Sequence, residues 1–231
     1  MGATTNDLGE NRMLIGDLTI VIPAAGLGQR LGFGPKALLQ LGDSSLLQWV
    51  SRKAQTVAAE VIVAAPPDDI ALWSQHCPGC RVIAGGSSHL ASMTKLIEAA
   101  TQPWVMNLSV STPFVSTSLM RRVVEAARQC GIAGAFLPMD MPVAHFMDSV
   151  VSTLTPARSC AIAQGPNAFR RDHLLELIRR ADTADWQRQS FLEIALHHGL
   201  MINMVVGKKD NMKITYPDDW VLAQLLQSLL D

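Results

Sequence analysis

The chain has 231 residues, 48% of them hydrophobic and 17% charged, with a formal net charge of −1. That length suits one α/β domain, and the near-neutral charge supplies no broad positive field for nucleic acid. No apolar run reaches the roughly 18 residues of a membrane span, and the polar start of the chain lacks the basic head and apolar middle of a secretory signal. Cytoplasm is therefore the expected location, with no membrane partner. Four cysteines, Cys77, Cys80, Cys130 and Cys160, do not make a disulfide scaffold in a chain of this size.

Residues 1–17 read as a flexible leader and 18–231 as one domain. Apolar strands then alternate with amphipathic segments. A strand is expected over 19–23, and a helix over 46–57 with Leu46, Leu47, Val50 and Ala54 on one face. A strand over 61–65 precedes a helix over 67–76, which opens with proline and two aspartates as helix N-termini prefer. The strand 81–84 ends at Gly85-Gly86, and the helix 88–100 has Ser87 or Ser88 as its cap. A strand over 104–108, a helix over 116–130 capped by Ser116, and a strand over 132–138 complete the regular part. This alternation predicts a parallel sheet with helices on both faces, and such sheets bind ligands outside the carboxyl ends of their strands.

The rhythm breaks at Pro138. From 139 to 167 the chain is rich in Met, Pro, Val, Ser and Thr without a helical pattern, and 148–154 and 159–163 read as two strands of a projecting ribbon. Helices follow over 171–181 and 190–199, then strands near 201–206 and 213–215, and a last helix from Pro217.

The stretch after the first strand, Ala24-Ala25-Gly26-Leu27-Gly28-Gln29-Arg30-Leu31-Gly32-Phe33-Gly34-Pro35-Lys36, combines four glycines and two cations with no acidic residue. Glycines let backbone amides approach a ligand, and amides with fixed cations suit a polyanion such as a nucleoside triphosphate. It is not a Walker loop, because Lys36 follows a proline, nor a dinucleotide fingerprint, because Gly26, Gly28 and Gly32 are spaced one residue too widely. It resembles the loop of the cytidylyltransferases that act on methylerythritol phosphate and related alditol phosphates, although the spacing from Arg30 to Lys36 is slightly short.

Two further segments carry that resemblance. Gly85-Gly86-Ser87-Ser88-His89-Leu90-Ala91-Ser92-Met93 is similar to the family's Gly-Gly-x-x-Arg-x-x-Ser-Val, which reads the pyrimidine, with His89 in place of the arginine. Taken alone, such a turn ahead of a helix is ordinary capping chemistry. Asp210-Asn211-Met212-Lys213-Ile214-Thr215-Tyr216-Pro217-Asp218-Asp219 is similar to the family's Asp-Asn-Ile-Lys-Val-Thr-x-Pro-Glu-Asp; read plainly, it is a turn, an edge strand and a proline-started helix.

The resemblance implies a three-layer αβα Rossmann-like nucleotidyltransferase fold with a mostly parallel twisted sheet and a projecting β-arm at about 139–167. In the family that arm embraces a second subunit, so a homodimer is implied. Arg30 and Lys36 fall at the family's two transition-state cations. Ala24, Ala25, Gly26, Gly28, Gly85, Gly86 and Ser92 fall at its nucleotide-binding positions, for CTP or, with His89 altered, UTP. Lys213, Thr215 and Arg158 would hold the phosphorylated acceptor, and Asp210 a Mg²⁺ ion.

The middle of the chain departs from the family. Its Asp-Ala-Ala-Arg-Pro is here Ser109-Val110-Ser111-Thr112-Pro113, without the metal-binding carboxylate or the arginine. Its Thr-Asp-Glu becomes Gln189-Ser190-Phe191, and its arm arginine falls near Ala157, one residue from Arg158. Asp140 and Asp148 are possible substitute carboxylates. These losses argue against methylerythritol phosphate as acceptor and for another alditol, a sugar phosphate or a phosphonate. The leading expectation is transfer of CMP from CTP to a small phosphorylated polyol or related phosphate, releasing pyrophosphate. The alternative is a catalytically impaired homologue that binds nucleotide or regulates.

Cys77-Pro78-Gly79-Cys80 closes a helix and precedes a strand, the reverse of the usual redox placement, and no second pair completes a zinc site. It reads as a structural turn, with a disulfide as the next possibility. His197-His198 point to different faces of a helix and read as solvated or capping residues.

Overall fold

The computed structural model describes residues 13–26, 31–182, 184–188 and 190–228. In chain order the elements are β1 (Ile15–Pro23), a short hairpin of β2 (Gln40–Leu41) and β3 (Ser44–Ser45), α1 (Leu46–Gln55), β4 (Ala58–Ala65), α2 (Ile70–His76), β5 (Arg81–Ala84) and α3 (His89–Ala99). Then come β6 (Trp104–Asn107), α4 (Thr117–Cys130), β7 (Ile132–Pro138), β8 (Val143–Met147), β9 (Val150–Thr155), β10 (Ala161–Arg170), α5 (Arg171–Arg180), α6 (Phe191–His197), β11 (Asn203–Val206) and α7 (Pro217–Ser228).

Seven strands form one sheet in the order β11-β7-β10-β6-β1-β4-β5. β1 pairs in parallel with β4 and β6, β4 with β5, and β7 with β11; β10 alone runs antiparallel, between β6 and β7. The sheet is a mostly parallel one inside three layers. Alternation along β1 sends Leu18, Ile20 and Ile22 into a core shared with α1 and α4, and Val21 into a core shared with α3, α5 and α6. A third cluster, with Leu31, Leu41, Leu46, Phe114, Ile214 and Ala223, ties the start of α1 and the C-terminal segment to the loop after β1.

Helices α1, α3, α4 and α6 begin where short polar side chains satisfy their free amides. Ser45 and Gln48 form a reciprocal capping box at α1. Ser88, Ser116 and Ser190 accept from the third residue of α3, α4 and α6.

Four expectations need correction. β1 begins at Ile15, so the last three residues of the segment read as a leader lie in the sheet, where Asp17 pairs with Arg128 at 2.7 Å. Residues 1–12 lie outside the described residues. The projecting ribbon is β8 with β9, turning at Asp148 and Ser149 with φ of 49° and 67°, whereas 159–163 leads into β10. The sequence hides that strand, because a register shift between Ala163 and Asn167 and the residues Gln164, Gly165, Pro166 and Asn167 interrupt any alternating pattern. Finally, 213–215 is not a strand and joins no sheet; Ile214 instead donates its amide to Ser111 O at 2.8 Å.

Candidate nucleotide site

A cavity of about 580 Å³ opens at the carboxyl ends of β1 and β6, in the place expected for a doubly wound sheet. Its walls come from three turns: Ala24, Ala25 and Gly26 after β1, Gly86 to His89 after β5, and Ser109 to Ser111 after β6. Lys36 and Lys213 add two cations from opposite ends of the sequence.

One residue clips those distant segments together. The Lys36 ammonium donates to Ile214 O at 2.8 Å, while the Ile214 amide donates to Ser111 O at 2.8 Å. The Ile214 side chain is fully buried in the third core cluster. The opening loop, the turn after β6 and the C-terminal segment are thereby fixed to one another, with Lys36 and Lys213 held at the same cavity.

The two glycines are required by close approach. A Cβ on Gly85 would lie 2.8 Å from Ala25 Cβ, and one on Gly86 would lie 2.6 Å from Ala91 Cβ and 2.7 Å from Ala91 C. Gly85 donates its amide to Ala65 O at 2.8 Å and accepts from Lys95 Nζ at 2.9 Å. The Ser92 hydroxyl accepts from the Gly86 amide at 2.9 Å. Ser92 is thus spent on shaping the glycine turn, as is Lys95, which sequence reasoning missed. Ser88, Ser92 and Lys95 follow the i, i+4, i+7 spacing of one helix face, which was the available signal. Ala24 is held on both sides: its amide donates to Ala64 O at 2.9 Å, and its carbonyl accepts from the buried Trp73 indole at 3.3 Å. Trp73 was missed too, since nothing in the sequence of α2 separates it from an ordinary core residue.

His89 lies at the cavity with its pKa below the ordinary imidazole value, first because the surrounding chain desolvates it and second because of the Lys213 charge. The shift favours the neutral ring where the family's pattern has an arginine.

The other anticipated residues are dispersed. Thr215 lies beside the start of α7, where its amide and that of Tyr216 donate to the Asp219 carboxylate at 2.8 and 2.7 Å. Asp210 is exposed in the turn before Lys213 and does not line the cavity. Its charge acts on Lys53, whose Nζ donates to Pro113 O at 2.6 Å; burial lowers the Lys53 pKa, and Asp210 opposes that shift. Arg158 is exposed in the turn Ala157–Ser159 between the ribbon and β10. Gly28 and Arg30 lie outside the described residues.

The magnesium ion that the resemblance implies meets a poor donor set here. Among the described residues no carboxylate lines the cavity, and no group of three His, Cys, Asp or Glu side chains could hold a metal. The oxygens on offer are neutral hydroxyls and carbonyls beside two lysines, whereas a hard divalent cation favours carboxylates and phosphates. The residues present do not fit a resident metal, and the chemistry below is derived from the chain's own groups. Asp140 is paired with Lys209 at 2.7 Å on the exposed side of the protein, and Asp148 sits at the ribbon turn; neither lines the cavity.

Among the described residues no helix is long and apolar enough to cross a membrane. His198 Nε2 hydrogen-bonds Asp185 at 2.8 Å, a structural role at the end of α6.

The comparisons with known proteins agree with this geometry. The family model described as 2-C-methyl-D-erythritol 4-phosphate cytidylyltransferase matches residues 18–228. The Thermus thermophilus protein of that description is 35% identical over 210 residues, covering 91% of this chain and 97% of its own. The Deinococcus radiodurans protein is 30% identical over 220 residues, covering 91% and 90%. A crystal structure of the Thermus thermophilus protein superposes with a TM-score of 0.75 at 31% identity, covering 91% of this chain and 98% of that one. The glycine-lined cavity with its two converging lysines lies at the carboxyl edge of a fold that these relatives share, and the chain belongs to the 2-C-methyl-D-erythritol 4-phosphate cytidylyltransferase family.

Proposed function

We propose that the cavity binds CTP and that the protein transfers its CMP unit to the phosphate of a small phosphorylated polyol. An acceptor phosphate oxygen attacks the α-phosphorus, the bond to the bridging oxygen breaks, and pyrophosphate leaves. The attacking group is already a nucleophile, so the protein's part is to position two anions and offset the charge that gathers on the equatorial oxygens. The observation that carries this reading is the convergence of Lys36 and Lys213 on one cavity through Ile214. Arg30 is proposed as a further cation on the resemblance of the loop alone. The main-chain groups of Gly85 and Gly86 would meet the pyrimidine edge, with Ser92 setting the turn and uracil as the competing base. Thr215 and Arg158 are proposed for the acceptor.

The ribbon supports a dimer. Phe146, Met147, Val150, Val151 and Leu154 on β8 and β9 are all exposed, an apolar surface that a second copy of the chain would cover. Light scattering at micromolar concentration is expected to give a dimer, and a monomer would count against that assignment.

A second reading has its own observation. The cavity's lining carries no carboxylate among the described residues, which favours a homologue that holds nucleotide and turns it over slowly or not at all. Pyrophosphate release separates the two. The protein is incubated with CTP, Mg²⁺ and a panel of alditol and sugar phosphates headed by 2-C-methyl-D-erythritol 4-phosphate. Release with one acceptor, lost in Lys36→Ala, establishes the transferase; CTP binding without release across the panel establishes the binding protein.

A further inference from the structure

The motif Cys77-Pro78-Gly79-Cys80 plays no part in the nucleotide chemistry, yet it is joined to the cavity wall. Cys80 donates its amide to Cys77 O at 3.1 Å, closing a four-residue turn with Pro78 in its second position and Gly79 at φ +81° in its third. That is the backbone of a type II turn, whose end Cα atoms are less than about 7 Å apart, inside the span a disulfide bridges. The turn is braced from outside by Gln55 Nε2, which donates to Pro78 O at 2.8 Å. Both cysteines are free thiols. Cys77 is buried and Cys80 half-buried, so Cys80 is the more exposed residue of the pair.

The pair also has a line to the nucleotide loop. The Cys77 thiol donates to Trp73 O at 3.1 Å, and the Trp73 indole N–H donates to Ala24 O at 3.3 Å. Trp73 is 1% exposed. Ala24 lines the cavity.

We propose that Cys77 and Cys80 are a reversible dithiol–disulfide site whose oxidation loosens the Ala24 wall of the cavity through Trp73. A small disulfide takes the Cys80 sulfur into a mixed disulfide and releases one thiol. The Cys77 thiolate then attacks the Cys80 sulfur, forming the Cys77–Cys80 bond and releasing the second thiol. Two protein thiols give up two protons and two electrons, and one small disulfide becomes two thiols. The oxidised Cys77 sulfur has no hydrogen to donate, so Trp73 O loses that bond on the same residue whose indole anchors Ala24. Disulfide formation does not depend on whether the cavity holds CTP.

The test equilibrates the full chain with oxidised and reduced glutathione at a series of ratios. Thiol labelling with peptide mass mapping reads the bond, and amide hydrogen exchange reads the segment 21–26. A Cys77–Cys80 disulfide that forms and is reversed by excess thiol is expected, together with exchange at 21–26 faster by about three- to tenfold, the effect of losing one hydrogen bond. Cys80→Ser, at the half-exposed position, is expected to fold and to show neither change. Labelling of Cys130 and Cys160 with no Cys77–Cys80 bond even in oxidised glutathione alone would overturn the site. A bond that forms without altering exchange at 21–26, or an equal change in Cys80→Ser, would overturn the coupling.

Discussion

The two sides of the cavity are built on different terms. The side formed by Ala24 to Gly26 and by Gly85 and Gly86 is made of backbone: main-chain hydrogen bonds to Ala64 and Ala65, and glycines that a single Cβ would drive to 2.8 Å or less from Ala25 and Ala91. The side formed by Ser109 to Ser111 and Lys213 is held to the opening loop at Ile214 and presents side chains, two hydroxyls and a cation among them. A ligand half written in backbone survives many substitutions, because every residue has an amide and a carbonyl. A half written in side-chain charge is erased one residue at a time, as Ser109 and Thr112 illustrate against the family's carboxylate and arginine. One chain can thus keep the glycine loops that resemble the family's while the facing side chains diverge.

Removing the shared cation should have the largest effect. Lys36→Ala takes away a charge that faces the cavity and the bond to Ile214 O, and pyrophosphate release is expected to fall by about a hundredfold, in the range seen when one transition-state donor is lost. Release within about twofold of the parent would show that the two sides do not act together through Lys36.

Next in size is a break in the backbone side. Gly86→Ala places a methyl 2.7 Å from the main-chain carbon of Ala91, which cannot rotate away. Thermal or denaturant unfolding is expected to show a loss of about 1–3 kcal/mol, the usual cost of overpacking, with weaker CTP binding. Gly16→Ala, where nothing lies within 4 Å of the new Cβ, is the control expected to be near neutral. Equal effects at the two glycines would contradict the close-approach account.

The smallest effect lies away from the cavity lining, at the cluster around Asp185. The Asp185 carboxylate accepts from His198 at 2.8 Å, from Arg188 at 3.2 Å and from the Asp182 amide at 3.2 Å, and these hydrogen bonds, that of His198 foremost, hold its pKa down from 3.8 to about 2. Because the folded value lies below the unfolded one, the stabilisation is complete above pH 3.8 and drains away as the pH falls toward 2. Unfolding followed from about pH 6 to about pH 2 should show a shallower acid decline in Asp185→Asn than in the parent; parallel curves would remove Asp185 from the acid response.

The backbone side is easy to read from sequence and the other side is hard. The strands of the regular part are legible because apolar runs alternate with capped amphipathic helices, and Ser45, Ser88 and Ser116 mark where those helices start. Only the start of β10 is legible, in the strand read at 159–163: its turn-forming Gly165 and Pro166 and its polar Gln164 and Asn167 look like loop, and only pairing with β6 and β7 on both sides makes the rest a strand. Likewise, 213–215 has strand composition, but Ile214 binds the turn after β6 instead of a sheet edge. In the site, Lys36, Lys213, Gly86 and Ser92 are legible as motifs. The links through Ile214 and Trp73 join residues 178 and 49 positions apart, and no local pattern announces them; Lys95, which reaches back from inside α3 to the turn before it, is marked only by its helix-face spacing from Ser88 and Ser92.

The central claim is that one cavity holds a nucleoside triphosphate between Lys36 and Lys213. Calorimetric titration of CTP into the parent, Lys36→Ala and Lys213→Ala tests it most directly. One site per chain in the parent, weakened by about tenfold or more in each variant, is the predicted result. No binding to the parent, or equal affinity in all three proteins, would contradict it.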